Sequence, residues 1–349
     1  MDKLWKYIIV LSAILTVGYC IADSNILNIQ TNLSPVKGNG EIIKKQISVN
    51  DYSRIEVKVP ANIFYELKTN EAPYLQIEVD KNLAELVSIS VQRGCLVVDA
   101  DQNINPKKLN IYTNSRSLSE VKNHSSGNID VKGIMQSSNV NIKVFSSGNI
   151  KAENINGENV ELSVSSSGNI KVSNIDSQNL DINTSSSGNI KVNDIKGDNV
   201  NVRTTSAGNI NINDVASKDL SISGNSSGNI KANDVTNTKF SIRLDSSGSA
   251  HINNSTSDDI KISTSSSGGT KIKGTATQTT LKTSGNGDIN ASGLETKYAD
   301  CQVSGSGDIS IYVTESLTAK IKGHGNIEYR GNPKQVKKTE DGSGKILSK

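Results

Sequence analysis

Large side chains are scarce in this sequence. Aromatic residues make up 4% and hydrophobic residues 34% of its 349 residues, which is low for a protein with one or two thick cores. The aliphatic residues are nevertheless spread evenly along the chain, and this argues against wholesale disorder. We therefore expect many thin, repeated core layers.

Proline, cysteine and excess charge are also scarce. Five prolines exclude a collagen-like or polyproline chain, and three cysteines are too few for a disulfide framework in a chain of this length. The 38 basic and 35 acidic residues nearly balance, which leaves a net charge of +3. This balance argues against a nucleic-acid-binding protein, in which basic residues dominate or cluster.

Residues 1–22 have the pattern of a secretory signal peptide. Two lysines precede an apolar run at residues 7–17, which is short for a membrane span. Cys20 and Ala22 are the small residues expected before a cleavage site. Acylation of Cys20 is the alternative, and the bulky Tyr19 before it disfavours that reading. We expect an exported chain with no transmembrane segment after cleavage.

A Ser-Ser-Gly-Asn-Ile motif recurs through most of the chain. Its glycine returns at intervals of 21, then 20 six times, then 19, 20 and 18 residues. These glycines are Gly127, Gly148, Gly168, Gly188, Gly208, Gly228, Gly248, Gly268, Gly287, Gly307 and Gly325. A register held this long marks about ten repeated units.

Each unit carries apolar residues at fixed offsets from its glycine. Two and four residues after the glycine stand Ile, Val or Ala, as at Ile150 and Ala152. Eight and six residues before the next glycine stand Val, Leu or Ile, as at Val160 and Leu162. A further column consists of Ile134, Ile155, Ile175, Ile195, Val215 and Val235. Alternation with period 2 predicts strands, and we expect all of these columns to face a core.

A 20-residue unit with short strands and one apolar face predicts one coil of a parallel β-helix. A single coil cannot bury its apolar face, whereas stacked coils share a continuous core. With strands about 4.8 Å apart, ten coils would form a rod about 50 Å long. The predicted fold class is all-β: a single-stranded, right-handed parallel β-helix (β-solenoid) with about 20 residues per coil.

The Gly-Asn pairs of the motif are predicted to form the corners of the coils. Glycine permits a positive φ at a tight turn, and stacked asparagines can exchange side-chain hydrogen bonds from coil to coil. The predicted corner ladder consists of Gly148, Asn149, Gly168, Asn169, Gly188, Asn189, Gly208, Asn209, Gly228 and Asn229. We interpret this ladder as structural, and a ligand-binding stripe is the alternative.

The strict period divides the chain into five segments. These are a signal peptide at residues 1–22, a polar leader at 23–40, irregular N-terminal coils and a cap at 41–124, the regular β-helix of 20-residue repeats at 125–330, and a C-terminal tail or cap at 331–349. Caps are expected at both ends because an open solenoid end exposes unpaired strand edges.

Several stretches of the chain carry a resemblance to a known family. They are IEVKVPANI at residues 55–63 with LAELVSISV at 83–91, the turns GNGDI and GSGDI at 285–289 and 305–309, and GHGNIEYRGNP at 323–333 with GSG at 342–344. On these motifs the mature chain resembles the head GIN domain family of auto-transporter adhesins, which are exported bacterial proteins. The resemblance implies a β-helical fold and an adhesin-like role, and it supplies no catalytic residue. The regular block is longer than such domains usually carry, as if coils had been duplicated.

Residues suited to catalysis or metal binding are few and scattered. His124 and His251 are predicted to lie about six coils, or roughly 30 Å, apart, which is too far for a shared metal ion or a catalytic triad; His324 lies farther along still. Cys301 falls in a core column, where a free thiol packs as a small hydrophobic group. Cys95 is predicted near the other end of the rod, beyond disulfide reach. We predict no catalytic residue, metal site, cofactor or intramolecular disulfide.

One outward column of the repeat is cationic. It consists of Lys151, Lys171, Lys191 and Lys231, each three residues after its glycine. Such a stripe could contact acidic glycans or lipopolysaccharide. Three residues further along stand Asp194, Asp214 and Asp234, which offset that charge. A solvated face that discourages edge pairing is the favoured interpretation, and a surface-contact stripe is the alternative.

Three functions from different classes fit these features. We favour a non-enzymatic exported β-solenoid, an adhesin or a cell-surface or periplasmic scaffold that binds glycans or a host or cell-envelope surface through a face of the rod. One alternative is a polysaccharide-processing β-helix enzyme, which would need clustered acid and base groups in a groove. The other is a self-assembling fibre protein, since stacked repeats have templating ends. The expected location is periplasmic, outer-membrane-associated or extracellular, in a Gram-negative-type bacterium.

Overall fold

Residues 34–349 form a β-solenoid of about 11 turns, in which parallel strands stack about 20 residues apart. The computed structural model describes these residues, and the predicted signal peptide with Cys20 lies outside them. Ile150 pairs with Ile170, and Ile170 with Ile190. Each of the three is at most 1% exposed. The predicted fold class is therefore confirmed.

The first ten strands form the less regular N-terminal part. They are β1 (Val36–Lys37), β2 (Ile42–Ile47), β3 (Arg54–Val57), β4 (Asn62–Leu67), β5 (Leu75–Asp80), β6 (Val87–Gln92), β7 (Cys95–Ala100), β8 (Ile104–Asn105), β9 (Leu109–Ser115) and β10 (Glu120–Asn123). A 3₁₀ turn, Lys81–Leu83, follows β5.

The remaining strands carry the repeat and the C-terminal end. They are β11 (Asn128–Gln136), β12 (Asn139–Val144), β13 (Asn149–Val164), β14 (Asn169–Thr184), β15 (Asn189–Thr204), β16 (Ile210–Gly224), β17 (Ile230–Leu244), β18 (Ala250–Thr264), β19 (Thr270–Thr283), β20 (Ile289–Val303), β21 (Ile309–Ile321), β22 (Ile327–Arg330), β23 (Gln335–Glu340) and β24 (Ile346–Ser348).

Each regular coil has three arms. Between β13 and β14 the pairing skips Glu153 and Glu158, which divides β13 into a first arm (149–152), a second arm (154–157) and a third arm (159–164). Alternate residues of the three arms point into one shared core, because side chains along a strand alternate between its two faces. The other half of each arm forms continuous outward rows along the rod.

The first regular coil is one residue longer than those that follow it. Its pairing with the next coil shifts, and Gly133 takes a positive φ of 97° at the shift. Met135 therefore pairs with Ile155 and is buried, whereas Ile134 is 49% exposed. The prediction that Ile134 faces the core was wrong, because a bulge moves the side chains beyond it by one position and thus to the opposite face.

The corner glycines are required by the neighbouring coil. Within residues 34–349 the glycines with positive φ are Gly40, Gly94, Gly133, Gly274 and Gly331, none of which is a corner glycine of the motif. A Cβ on Gly168 would overlap the carbonyl oxygen of Gly148 and lie 2.6 Å from that of Ser146. The prediction of a positive φ at the corner glycines was wrong. These positions require glycine because the backbones of two coils approach too closely to leave room for a side chain.

Antiparallel strands flank the N-terminal end of the stack. β5 pairs antiparallel with β2 and β9, and β6 pairs antiparallel with β7. β7 pairs parallel with β3, and β3 pairs with β10. β9 pairs parallel with β4, and β4 pairs with β11. The direction of pairing thus changes at this end, where the sequence lacks the strict repeat.

Asp80 joins three segments of this N-terminal part. Its carboxylate is buried and accepts backbone N–H bonds from Gly40, Lys107 and Lys108 at 2.6, 2.8 and 3.0 Å. Burial opposes ionisation, but these bonds hold the pKa of Asp80 below its ordinary value. The carboxylate therefore fixes residues of the predicted leader against the first coils.

Charged side chains terminate two inward columns at the C-terminal end. In the register of β21 and β23, Lys338 follows Ala319 and Glu340 follows Ile321. Lys338 Nζ donates to the Ile346 carbonyl at 3.2 Å, and Glu340 accepts the Ile346 N–H at 2.7 Å. Within residues 34–349, β23 and β24 each pair on one side only. The apolar core thus ends in a polar layer, which we call the terminal layer (Lys338 and Glu340).

Candidate binding surfaces

The predicted lysines form one line along the first arm. Lys151 pairs with Lys171, Lys171 with Lys191, and Asn211 lies between Lys191 and Lys231. All four lysines are exposed. Since the row runs perpendicular to the strands, neighbouring members are about 4.8 Å apart at the backbone. We call this line the lysine row.

The lysine row extends beyond the four predicted lysines. Beyond Lys231 it continues through His251 and Lys271, which stand at the same offset from degraded copies of the glycine motif. The signal was present in the sequence and only the degraded motif obscured it. At the other end, Lys151 Nζ lies 3.7 Å from Asp130 Oδ1, so one carboxylate offsets the first lysine.

The aspartates form a separate row at the start of the second arm. Asp194, Asp214 and Asp234 stack on one another between Asn174 and Asn254. The pKa of Asp214 is raised above its ordinary value. Burial is the largest cause, and the hydrogen bond and charge of Asp194 and the charge of Asp234 add to it. The acidic charge is therefore concentrated along its own line instead of alternating with the lysines.

Asparagine side chains bond from coil to coil along the predicted corner ladder. Asn149 Nδ2 donates to Asn128 Oδ1 at 2.7 Å, and the same bond recurs as far as Asn229 at distances of 2.7–3.2 Å. From Asn189 onwards the backbone N–H also donates to the preceding Oδ1. A second ladder, on the third arm, joins Asn139, Asn159, Asn179 and Asn199. These bonds engage the amide groups within the stack.

The histidines have separate surroundings. The His124 ring stacks on Phe145 with centroids 4.5 Å apart, and its Nε2 lies 3.4 Å from Glu56 Oε1. His324 Nδ1 lies 2.6 Å from Ser343 Oγ, and the third histidine belongs to the lysine row. Within residues 34–349 no group of three or more His, Cys, Asp or Glu side chains is arranged to hold a metal ion.

Neither described cysteine is activated. Cys301 is fully buried in its core column between Leu281 and Ala319, and burial raises the pKa of its thiol. Cys95 is half-buried in β7 beside Arg54, and burial raises its pKa as well. The inward column that contains Cys301 starts at Leu96, the neighbour of Cys95, near the N-terminal end of the stack. Nearly the whole length of the stack therefore separates the two thiols. A raised thiol pKa disfavours the reactive thiolate.

An aromatic cluster on the first coils was not predicted. Phe64 and Tyr112 stack with centroids 5.0 Å apart and rings inclined by 14°, at the positions that the lysine row takes in later coils. With Tyr74 and Asp130 they line a depression of about 220 Å³. The alternation of apolar and polar residues around Phe64 in the sequence indicated that its side chain points outward. Its stacking partner Tyr112 lies in a segment without the repeat, so no offset linked the two residues.

Comparison with known proteins identifies a family. A family model described as "Putative auto-transporter adhesin, head GIN domain" matches residues 51–233 and 215–333. No curated protein matches the sequence. No helix within residues 34–349 has the length and apolar character needed to cross a membrane.

Several solved structures are similar to this chain. A "putative adhesin" from Parabacteroides merdae ATCC 43184 is 24% identical, with a TM-score of 0.35, over 91% of this chain and 100% of the matched chain. A "Putative lipid binding protein" from Parabacteroides distasonis ATCC 8503 is 23% identical, with a TM-score of 0.32, over 90% of this chain and 100% of the matched chain.

Proposed function

This chain belongs to the head GIN domain family of auto-transporter adhesins, and from that premise we propose that it is an exported, non-catalytic adhesin that binds glycans or a cell-envelope surface through a face of the rod. Its family membership makes a surface or exported location the natural setting. The signal-like residues 1–22 support the same location.

The observation that carries the proposal is the repetition of identical outward groups at coil spacing. Lys151, Lys171 and Lys191 present three ammonium groups in adjacent coils, with no ion pair to Lys171 or Lys191 from any residue in 34–349. A polymer with regularly spaced acidic groups could contact several of them at once. Individually weak contacts then add through effective concentration, which is how one face of a rod can hold a long ligand.

The proposed absence of catalysis rests on the histidines and thiols, which are dispersed along the rod. A nucleophilic site needs its base within hydrogen-bond reach of the nucleophile. His124 and His324 lie at opposite ends of the rod, and the thiols of Cys95 and Cys301 have raised pKa values. These features favour binding over turnover.

A binding screen tests the proposal. The mature chain is applied to immobilised alginate, heparin and lipopolysaccharide, and Lys171→Gln/Lys191→Gln is compared with the control Lys239→Gln/Lys282→Gln, which removes the same charge from another face. We expect the lysine-row variant to lose about tenfold in affinity at low salt and the control to bind normally. Release of reducing ends from a bound polysaccharide would contradict the non-catalytic part, and absence of binding to any polysaccharide would contradict the adhesin itself.

A further inference from the structure

A polar groove runs along the rod between the second and third arms. It has a volume of about 570 Å³ and spans four successive coils. Its floor consists of Ser137, Gly157, Ser177 and Gly197. One wall consists of Gln136, Asn156, Asp176 and Lys196, and the other of Ser138, Glu158, Gln178 and Asp198. Members of each line are 20 residues apart, and the pairs Gln136–Asn156, Gly157–Ser177 and Ser177–Gly197 stand in the register of the stack, so the groove is parallel to the rod axis.

The groove exists because its floor consists of small residues, two glycines and two serines. A Cβ on Gly157 would lie 2.7 Å from the Ser137 carbonyl oxygen, and a Cβ on Gly197 would lie 3.0 Å from that of Ser177. Farther along the same column the floor is filled, since Asn237 occupies it and accepts a 2.6 Å hydrogen bond from Ser257. Ser217 lies between Gly197 and Asn237 in this column, and the depression spans the four coils before it.

A buried hydroxyl on the floor lacks a partner. Ser177 is 6% exposed, and its Oγ makes no hydrogen bond within residues 34–349. A buried polar atom without a partner is costly and uncommon in native proteins. Ser177 lines the groove, and rotation of its buried hydroxyl about χ1 toward the groove would let a hydrogen-bonding ligand supply the missing partner.

The walls define which ligand fits. They offer amide groups from Gln136, Asn156 and Gln178 and three carboxylates, those of Glu158, Asp176 and Asp198. Lys196 Nζ lies 4.0 Å from Asp176 Oδ2, and Lys218 Nζ, beside the groove, lies 2.9 Å from Asp198 Oδ1, which leaves Glu158 without an ion pair in residues 34–349. The small remaining charge of the walls is negative and gives an acidic polymer no attraction, whereas amides and carboxylates together bond well to neutral hydroxyl groups.

A peptide fits this groove poorly. The backbone beneath it is engaged in parallel pairing on both sides, as at Ser177, which pairs with Gly157 and Gly197. An added strand would therefore find no free backbone groups to pair with. No large apolar side chain lines the groove to anchor a hydrophobic residue.

From these contacts we infer that the groove binds a neutral polysaccharide, with the sugar chain parallel to the rod axis and a sugar hydroxyl bonded to Ser177. This inference rests on the proposed adhesin function and names the class of ligand for a surface distinct from the lysine row. The two surfaces would then recognise different polymers, neutral in the groove and acidic on the row.

Electrophoresis of the mature chain in native gels tests the inference. The gels contain a soluble neutral glucan, mannan or galactan, with alginate as the acidic comparator. The wall variant Asp176→Ala/Gln178→Ala removes two exposed polar groups, and Thr256→Ala/Asp258→Ala is its matched control, four coils away in the same two rows. We expect a neutral polymer to retard the protein, with a loss of about tenfold in affinity for the wall variant and no change for the control.

Ser177→Ala adds a second test. The substitution keeps the Cβ and removes the unpartnered hydroxyl, so the variant should bind the neutral polymer more weakly while its melting temperature stays equal or rises. Normal retardation of both the wall variant and Ser177→Ala would overturn the groove proposal but leave the adhesin function intact. Retardation by alginate alone would do the same. Failure of every polymer to retard the protein would overturn both.

Discussion

Gly268 stacks directly on Gly248, and a Cβ on Gly268 would overlap the Gly248 carbonyl oxygen. Gly268→Ala must therefore push two coils apart. We expect it to lower the free energy of unfolding by about 1–3 kcal/mol, measured by urea denaturation.

The adjacent glycine is the matched control. A Cβ on Gly269 would meet only the Asp288 carbonyl oxygen, at an ordinary 3.5 Å, and its φ is not positive. Gly269→Ala should be neutral or should stabilise by about 0.4–1 kcal/mol, since it restricts the unfolded chain. Equal effects of the two substitutions would show that coil contact is not what requires Gly268.

The asparagine ladder gives a second prediction. Asn189 Nδ2 donates to Asn169 Oδ1 at 2.9 Å, and its own Oδ1 accepts from Asn209. Asn189→Ala should cost about 0.5–1.5 kcal/mol of unfolding free energy. Asn189→Ser should cost less, because Ser249 already shows that a hydroxyl can donate to the preceding asparagine, at 2.6 Å. A serine variant as unstable as the alanine variant would argue against a hydrogen-bonded ladder.

The aspartate row predicts a dependence of stability on pH. Since the pKa of Asp214 is raised above 3.8 in the folded chain, its ionisation opposes folding, and this penalty grows as pH rises from about 4 through the raised pKa. Asp214→Asn should therefore raise the melting temperature at pH 7 by about 1–2 °C, and the gain should vanish below pH about 4. The control is Asp219→Asn, whose aspartate lies beside Lys239 and should give no gain. A lower melting temperature for Asp214→Asn at pH 7 would contradict the prediction.

We expect the terminal layer to prevent end-to-end association of two copies of the protein. Lys338 bonds to the Ile346 carbonyl, and its Nζ lies 5.0 Å from the centroid of the Tyr329 ring. Lys338→Leu/Glu340→Val would continue the apolar columns to an open strand edge, where a second copy could add. We expect larger species than the wild type in size-exclusion chromatography with light scattering.

Neighbouring outward positions supply the control for that experiment. Lys337→Leu/Thr339→Val adds apolar groups to the same strand but outside the inward columns. Association of this control to the same extent would show that surface hydrophobicity, and not the end of the core, controls assembly.

The regular coils were predictable because the packing repeats with the sequence. Ile150, Ile170 and Ile190 share an offset, and equal offsets place them in one column. The bulge at Gly133 was not predictable from spacing, since a 21-residue coil does not indicate which of its residues is extra. The corner glycines were identified correctly, but a positive φ was the wrong reason for them. Local turn preferences give no information about the contact between a glycine and the preceding coil.

The N-terminal pairings and the groove were beyond the sequence for related reasons. The antiparallel pairing of β2 with β5 joins segments without a common period, so no offset links them. Gly157, Ser177 and Gly197 share an offset that is visible in the sequence. That these residues form the floor of a groove depends on the bend between the second and third arms, which places one polar row on each side of them.

In-register stacking of equal coils separates the length of this molecule from its surface chemistry. Each 20-residue coil contacts chiefly the coils before and after it, so gain or loss of one coil leaves the other interfaces unchanged. Duplication would lengthen the rod in steps of about 4.8 Å while both ends stay the same. Selection on copy number would then set how many equivalent outward groups one face presents and would leave individual side chains untouched.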